Sequence, residues 1–257
     1  MLKGAIEMKK VDTHTHVLLT KRHAFSWLDV ALHFNIARAQ GLDVVCLTEH
    51  LDADNFTSLY DGIFYDNKLG GQKISDGMIL LSSGLLVVSG TEIPLKGGGE
   101  VGLCSSMRLI SGLNKENSYY SLDSLISYID STDEHYTLIG NHLRHPKKWI
   151  SDIEKHIDSF DAIEVLSKYR DILDDYRALA NSLGKPLVSG SDSHTWVQFG
   201  LSYTEVDIQD FSLANFKEAI RGNKFSLYMS DDTNKIIKVS ELFRKNLVNK
   251  AEERYVA

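Results

Sequence analysis

Seven short runs of β-branched and leucine-rich residues constrain this chain more than any other feature. They read KKVDTH (9–14), DVVCLTE (43–49), LLVVSGTEI (85–93), VGLCSS (101–106), YTLIGNH (136–142), DAIEVLS (161–167) and PLVSGSD (186–192). Runs of this kind suit strands buried on both faces, as in a parallel sheet. Helical patterns lie between them. Residues 26–41 end on Gly41 and residues 171–184 on Gly184, both plausible helix stops. The second places Ile172, Tyr176, Leu179 and Leu183 on one face. Residues 121–131 and 151–160 open with serine caps and predict two further helices. Strand–helix alternation along a whole chain specifies a parallel α/β fold, and 257 residues suit a single barrel.

The division that follows is one barrel domain over 1–231, with a charged peripheral helix or tail over 232–257 packed on it. Segment 52–75 is polar, glycine-bearing and weakly patterned, and reads as a long loop of the kind that forms lids. There is no internal repeat. A net charge of −7 argues against an extended nucleic-acid surface, although a local basic pocket remains compatible with it. Cys46 and Cys104 sit inside apolar runs and read as free thiols of a reducing compartment. The first ten residues lack the apolar core of a signal peptide, and MILLSSGLLVV is too short to span a bilayer. The expected address is the cytoplasm, with no membrane partner.

Nearly every run finishes in a metal-ligand type of residue. His14 and His16 follow the first, Glu49 and His50 the second, Glu92 the third, His142 and His145 the fifth, and Asp192 and His194 the seventh. Active sites of parallel α/β folds lie at the carboxyl ends of the strands. Residues two apart on a strand share a face, so H-x-H and D-x-H each aim two ligands at one place. A lone histidine at a strand end is ordinarily a hydrogen-bonded packing residue. Six of the ten histidines at strand ends, with carboxylates among them, point instead to zinc, manganese or iron. By the same alternation Glu49 is expected to face away from His50. Glu164, at a strand end, reads as a group that binds substrate, orients a ligand or packs. His142 reads as a contact to a ligand or substrate. His33, His135 and His156 are assigned to the surface.

The ordered set DTHTH, TEH, GTEI, RHP, IEV and GSDSH, spread over about residues 10–225, resembles the PHP family, named for its polymerase and histidinol-phosphatase members. The resemblance implies a distorted (β/α)7 barrel with its metal site at the C-terminal ends of the strands. It also implies a metal-dependent phosphoesterase holding two or three divalent ions. Carried over residue by residue, His14, His16 and Asp192 would hold one ion, and His23, His50 and His194 a second. Glu92 matches the bridging carboxylate and His145 a ligand of a third ion. Glu100 departs from the pattern, standing where many relatives have histidine; it reads as a substitute ligand or as a solvated loop residue.

Such a cluster would turn a bridging water into hydroxide for in-line attack on a phosphate ester. Asp192 and His194 are accordingly expected to be catalytic as well as ligating. Arg144, between His142 and His145, is expected to grip the phosphate, with Arg22, Lys168 and Arg170 as lesser candidates. Trp196 would stack on a ring or pack in the barrel. The expected substrate is a small phosphorylated molecule or nucleotide, or a short oligonucleotide cut by a nuclease or phosphodiesterase activity. An amidohydrolase-type barrel fits the TEH and late D-x-H motifs less well. A non-catalytic metal-bound module would be expected to have lost several ligands, and only one position is altered.

Overall fold

The computed structural model describes residues 8–256. Residues 1–7 and 257, the outer ends of the two expected units, lie outside them. In chain order the elements are β1 (Lys9–Thr15), α1 (Trp27–Ala39), β2 (Val44–Leu47), α2 (Phe56–Phe64), β3 (Gln72–Ser75), β4 (Met78–Leu80), β5 (Leu86–Pro94), β6 (Glu100–Ser105) and α3 (Met107–Ser111). There follow α4 (Leu122–Asp130), β7 (Tyr136–Asn141), β8 (Ala162–Leu166), α5 (Leu173–Ser182), β9 (Leu187–Gly190), β10 (Ser202–Val206), α6 (Leu213–Arg221), β11 (Phe225–Met229) and α7 (Thr233–Val256). Among the described residues no helix is long and apolar enough to cross a membrane.

The seven expected runs form β1, β2, β5, β6, β7, β8 and β9, hydrogen-bonded in that order. They curl into a nearly closed barrel, the distorted (β/α)7 architecture that the family resemblance implies. The distortion has two sources. β6 runs antiparallel to both neighbours, because only five residues separate it from β5. At the seam, β10 pairs antiparallel with the lower half of β1, while the upper half of β1 reaches β9 directly. There His16 N donates to Ser193 O (2.9 Å) and Asp192 N to His14 O (2.9 Å). The two ends of the barrel sequence therefore meet at the level of their ligand-type residues.

Barrel strands are buried along nearly their whole length, as their unalternating sequences require. Four of the helices are capped by serine. Ser26, Ser106, Ser121 and Ser212 each accept a backbone N–H from the first turn of α1, α3, α4 and α6.

Several expectations need correction. Segment 52–75 is no long loop: it contains α2, whose Phe56, Leu59, Tyr60 and Ile63 are buried in the core, and then β3, which pairs with β4 just beyond it. Residues 153–159 form 3-10 turns and not an α-helix, with Asp152 left-handed at φ 60° before them. Ile172 lies before α5 and is exposed, whereas Tyr176 is fully buried. His33 is buried in α1.

Tyr60 shows how the corrected segment supports the barrel. Its hydroxyl lies 2.8 Å from Leu47 O and 2.6 Å from Gly90 O, and it accepts Glu49 N–H at 3.2 Å. One buried phenol thus ties the end of β2 to β5. Tyr60→Phe leaves these backbone groups unpaired and should lower stability by about 1–3 kcal/mol. The urea midpoint reads this directly, and an unchanged midpoint would contradict the role.

Candidate metal centre

β1 sets His14 and His16 on one face, and both are buried. Each has its Nδ1 held by a carboxylate. His14 Nδ1 lies 3.0 Å from both oxygens of Glu164 on β8, and His16 Nδ1 lies 3.3 Å from Glu49 Oε2. Glu49 is itself fixed, its Oε1 accepting Val17 N (2.5 Å) and Leu18 N (2.7 Å). A carboxylate accepts, so each Nδ1 is the donor, and a neutral ring then carries its lone pair on Nε2. The two Nε2 atoms lie 3.0 Å apart. Two lone pairs so close, in a buried site, call for a cation; a carboxylate behind each ring is the usual support of a ligating histidine.

The remaining groups converge on this pair. Glu92, from β5, turns Oε1 toward His142 Nε2 (3.0 Å) and His14 Nε2 (3.6 Å), and Oε2 toward His50 Nδ1 (2.8 Å) and His16 Nε2 (3.8 Å). Asp192 places Oδ1 3.4 Å from His16 Nε2, 3.7 Å from His14 Nε2 and 3.6 Å from His194 Nδ1. Three sets have ligand atoms mutually within 4.8 Å: His16, His50 and His194; His14, His16 and Asp192; and His14, Glu92 and His142. Nitrogen and carboxylate donors in this number fit zinc, manganese or iron.

The backbone is bent to make this possible. His142 and Asp192 both sit just past a strand end with positive φ, 56° and 51°. Left-handed residues other than glycine carry about 1–3 kcal/mol of strain and persist where the surroundings hold them. Gly190 is required for a different reason: a Cβ there would lie 2.7 Å from His14 Cβ and 3.0 Å from Glu164 Oε1, wedging the ring from its support.

Charge settles in a consistent way without metal. Burial disfavours the His14 imidazolium, but Glu164 and Glu92 outweigh it and raise its pKa well above the usual value. Burial likewise opposes His16, yet Asp192 and Glu49 raise it to about 9. Glu92 and Asp192 stay ionised, far below the ordinary carboxylate range, because His14 and Lys168 respectively overcome their burial. His194 is held well below its ordinary value by burial and by the adjacent His16. Protons thus supply positive charge that metal ions would bring.

Other expected site residues lie elsewhere. His145 and Glu100 line the roughly 170 Å³ pocket over the cluster, with Lys148, Lys168 and Tyr169, but belong to none of the three sets. Glu100 is paired with Lys148. His23 is also outside the sets; its Nδ1 lies 2.5 Å from Thr20 Oγ1. Arg144 does not line the pocket: its exposed guanidinium lies 3.6 Å from Asp175 on α5. Arg170 pairs with Asp231. Glu49, expected to face away, reaches the site because β2 ends at Leu47 and strict alternation stops there. Lys148 and Tyr169 were not foreseen: Lys148 lies seven residues past the end of β7, and Tyr169 sits between two cations, Lys168 and Arg170, that are the more evident candidates.

An α/β barrel with buried histidines and carboxylates converging at its strand ends defines a candidate metal centre. Residues 175–225 match the family model described as PHP-associated. No curated protein sequence matches the chain significantly. The crystal structure of PsfC from Pseudomonas syringae superimposes with a TM-score of 0.85 at 26% identity, over 94% of this chain and 99% of PsfC. The lesion-specific endonuclease Q of Pyrococcus furiosus gives 0.59 at 19% identity, over 86% of this chain and 57% of its own. Endonuclease Q in complex with a 27-mer duplex substrate bearing an abasic lesion at the active site gives 0.59 at 18% identity, over 84% and 57%. The C-terminal match and the superposition on PsfC agree with the resemblance that the motif order carries.

The pH dependence of the metal-free protein follows from His16. Its folded pKa of about 9 exceeds the ordinary 6.5, so its stabilising contribution is complete below pH 6.5 and is lost as pH rises through 9. The melting-temperature gap between Mn²⁺-loaded and chelator-treated protein should therefore widen from pH 6.5 to 8.5. A gap independent of pH would contradict this proton–metal exchange.

Proposed function

We propose that this protein is a metal-dependent phosphoesterase acting on a small phosphorylated molecule or nucleotide. The observation that carries the reading is the pair of facing Nε2 atoms of His14 and His16, each backed by a carboxylate. Two divalent ions would be held by His14, His16, His50, Glu92, His142, Asp192 and His194, the residues of the three converging sets. Lys148 beside Glu100 supplies a fixed positive charge there, which favours two ions over three. His23 and His145 are left as neighbours of the cluster.

When bound, the ions supply an activated water near neutral pH and neutralise charge on the phosphoryl group. The chain's own residues do the rest. Asp192 is oriented by Lys168 Nζ at 2.6 Å, and His194 completes the wall beside it. Lys148 and Lys168 line the pocket beside Tyr169, and their ammonium groups offer donors to phosphoryl oxygens. His145, whose pKa burial and nearby cations lower, accepts Lys147 N–H at Nδ1 and so keeps an Nε2–H that can donate a hydrogen bond to a phosphoryl oxygen in the pocket it lines. A pocket of roughly 170 Å³ suits one phosphate group.

A second reading, cleavage of short oligonucleotides, is favoured by the fold shared with endonuclease Q, whose complex holds duplex DNA. Nitrophenyl phosphate and bis-nitrophenyl phosphate separate the two. Mn²⁺-dependent release from the monoester, reduced about 100-fold or more in His194→Ala, is the expected result. Preference for the diester would transfer the assignment to the nuclease reading. Full metal occupancy with no release from either ester would favour a non-catalytic module.

A further inference from the structure

The C-terminal helix α7 docks on the rim of the metal cluster, against the segments that carry its ligands. Ser240 Oγ lies 2.6 Å from Thr195 Oγ1, next to His194, and both residues are buried. Arg244 Nε donates to Leu19 O at 2.8 Å, in the segment that follows His16. A cavity of about 120 Å³ lies between helix and cluster, and Gln198, Ser240, Glu241 and Arg244 are in its wall. It shares Lys168, Asp192 and His194 with the pocket over the cluster, so the two adjoin along that wall.

Donors are in excess there. The bond to Leu19 fixes the Arg244 guanidinium, and among the described residues its Nη1 and Nη2 have no hydrogen-bond or ion-pair partner. Gln198 Oε1 accepts His194 N–H at 2.9 Å, which leaves the NH2 as the free end of that amide. Lys168 Nζ lies 2.6 Å from Asp192 Oδ2 and has further protons to place. An open guanidinium fork beside amide and ammonium donors selects an oxyanion, a carboxylate or a phosphate. The charge balance decides between them. With Asp192 turned to the cluster histidines, Lys168, Arg244 and Glu241 leave one positive charge. A singly charged carboxylate balances it, and a doubly charged phosphate exceeds it.

We infer that Arg244 and this cavity form a carboxylate subsite beside the phosphoryl pocket, so that the substrate is the phosphate ester of a small acid. Its carboxylate lies on the Arg244 guanidinium and the Gln198 amide while the phosphoryl group lies over the cluster. The inference rests on the phosphoesterase reading for the ester and on the cavity alone for the carboxylate. Arg244 is then a specificity-determining residue, supplied by the helix that the sequence marks only as a charged tail.

Binding tests the subsite apart from the chemistry. Calorimetry on Mn²⁺-loaded protein should show 3-phosphonopropionate, which no phosphoesterase can cleave, binding about tenfold or more tighter than propylphosphonate, its match in length without the carboxylate. That preference should shrink about threefold or more in Arg244→Ala and in the milder Arg244→Lys, which keeps the charge but not the fork. Circular dichroism melting establishes that each variant is folded. In turnover, kcat/KM for 2-phosphoglycolate should exceed that for ethyl phosphate by a similar factor. Equal binding of the two phosphonates by the wild type, or a preference that survives in both variants, would overturn the inference. Tighter binding of ethane-1,2-diphosphonate than of 3-phosphonopropionate would overturn the choice of carboxylate over phosphate. An Arg244-dependent preference in binding with hydrolysis of neither ester would keep the carboxylate site and remove the phosphoesterase reading instead.

Discussion

The constraint on which the rest depends is the approach of two histidine nitrogens to 3.0 Å inside the barrel mouth. His14 and His16 are fully buried, and neither ring can turn away, because Glu164 and Glu49 grip the opposite nitrogens. Such an arrangement is unfavourable for two neutral rings and becomes favourable once positive charge is shared between them. Protons serve this purpose in the metal-free protein, and divalent ions serve it better, since Glu92 and Asp192 are already ionised around the pair. Barrel closure, strained residues at the rim and buried carboxylates all make sense as means of holding that geometry.

The barrel supplies the geometry through its seam. Hydrogen bonds between His14 and Asp192 and between His16 and Ser193 join the first and last barrel strands at the ligands themselves. Metal-site geometry and barrel closure are therefore one structural event. Asp12 reinforces it from below, accepting the backbone N–H groups of His14 and Ser191. Gly190 allows His14 to lie against Glu164. A change at any of these positions acts on fold and centre together.

Much of this was legible in the chain. Unbroken apolar runs named the seven barrel strands, and histidines and carboxylates at their ends marked the site, because both signals are local. What failed was information set by the third dimension. Glu49 escaped because alternation holds only where backbone stays pleated, and β2 stops two residues short of it. α2 was hidden by the polar Thr57, Ser58 and Asp61 between its buried residues. Arg144 looked well placed between two histidines, but its direction is fixed by the left-handed turn at His142, and it points to Asp175. Lys148 lies four residues beyond Arg144, with no pattern to flag it. The strands β10 and β11, which close one edge of the sheet, were hidden because Ser202, Thr204, Glu205 and Ser226 interrupt their apolar residues.

The central claim is that this cluster exists to hold divalent ions, and metal content tests it most directly. Protein purified without chelator, loaded with Mn²⁺ and desalted, would be analysed by inductively coupled plasma mass spectrometry beside a His14→Ala, His16→Ala double variant. The account predicts at least two ions per chain in the wild type and loss of most of them in the variant. A wild type that retains less than one ion per chain, or a variant that retains as much as the wild type, would contradict it.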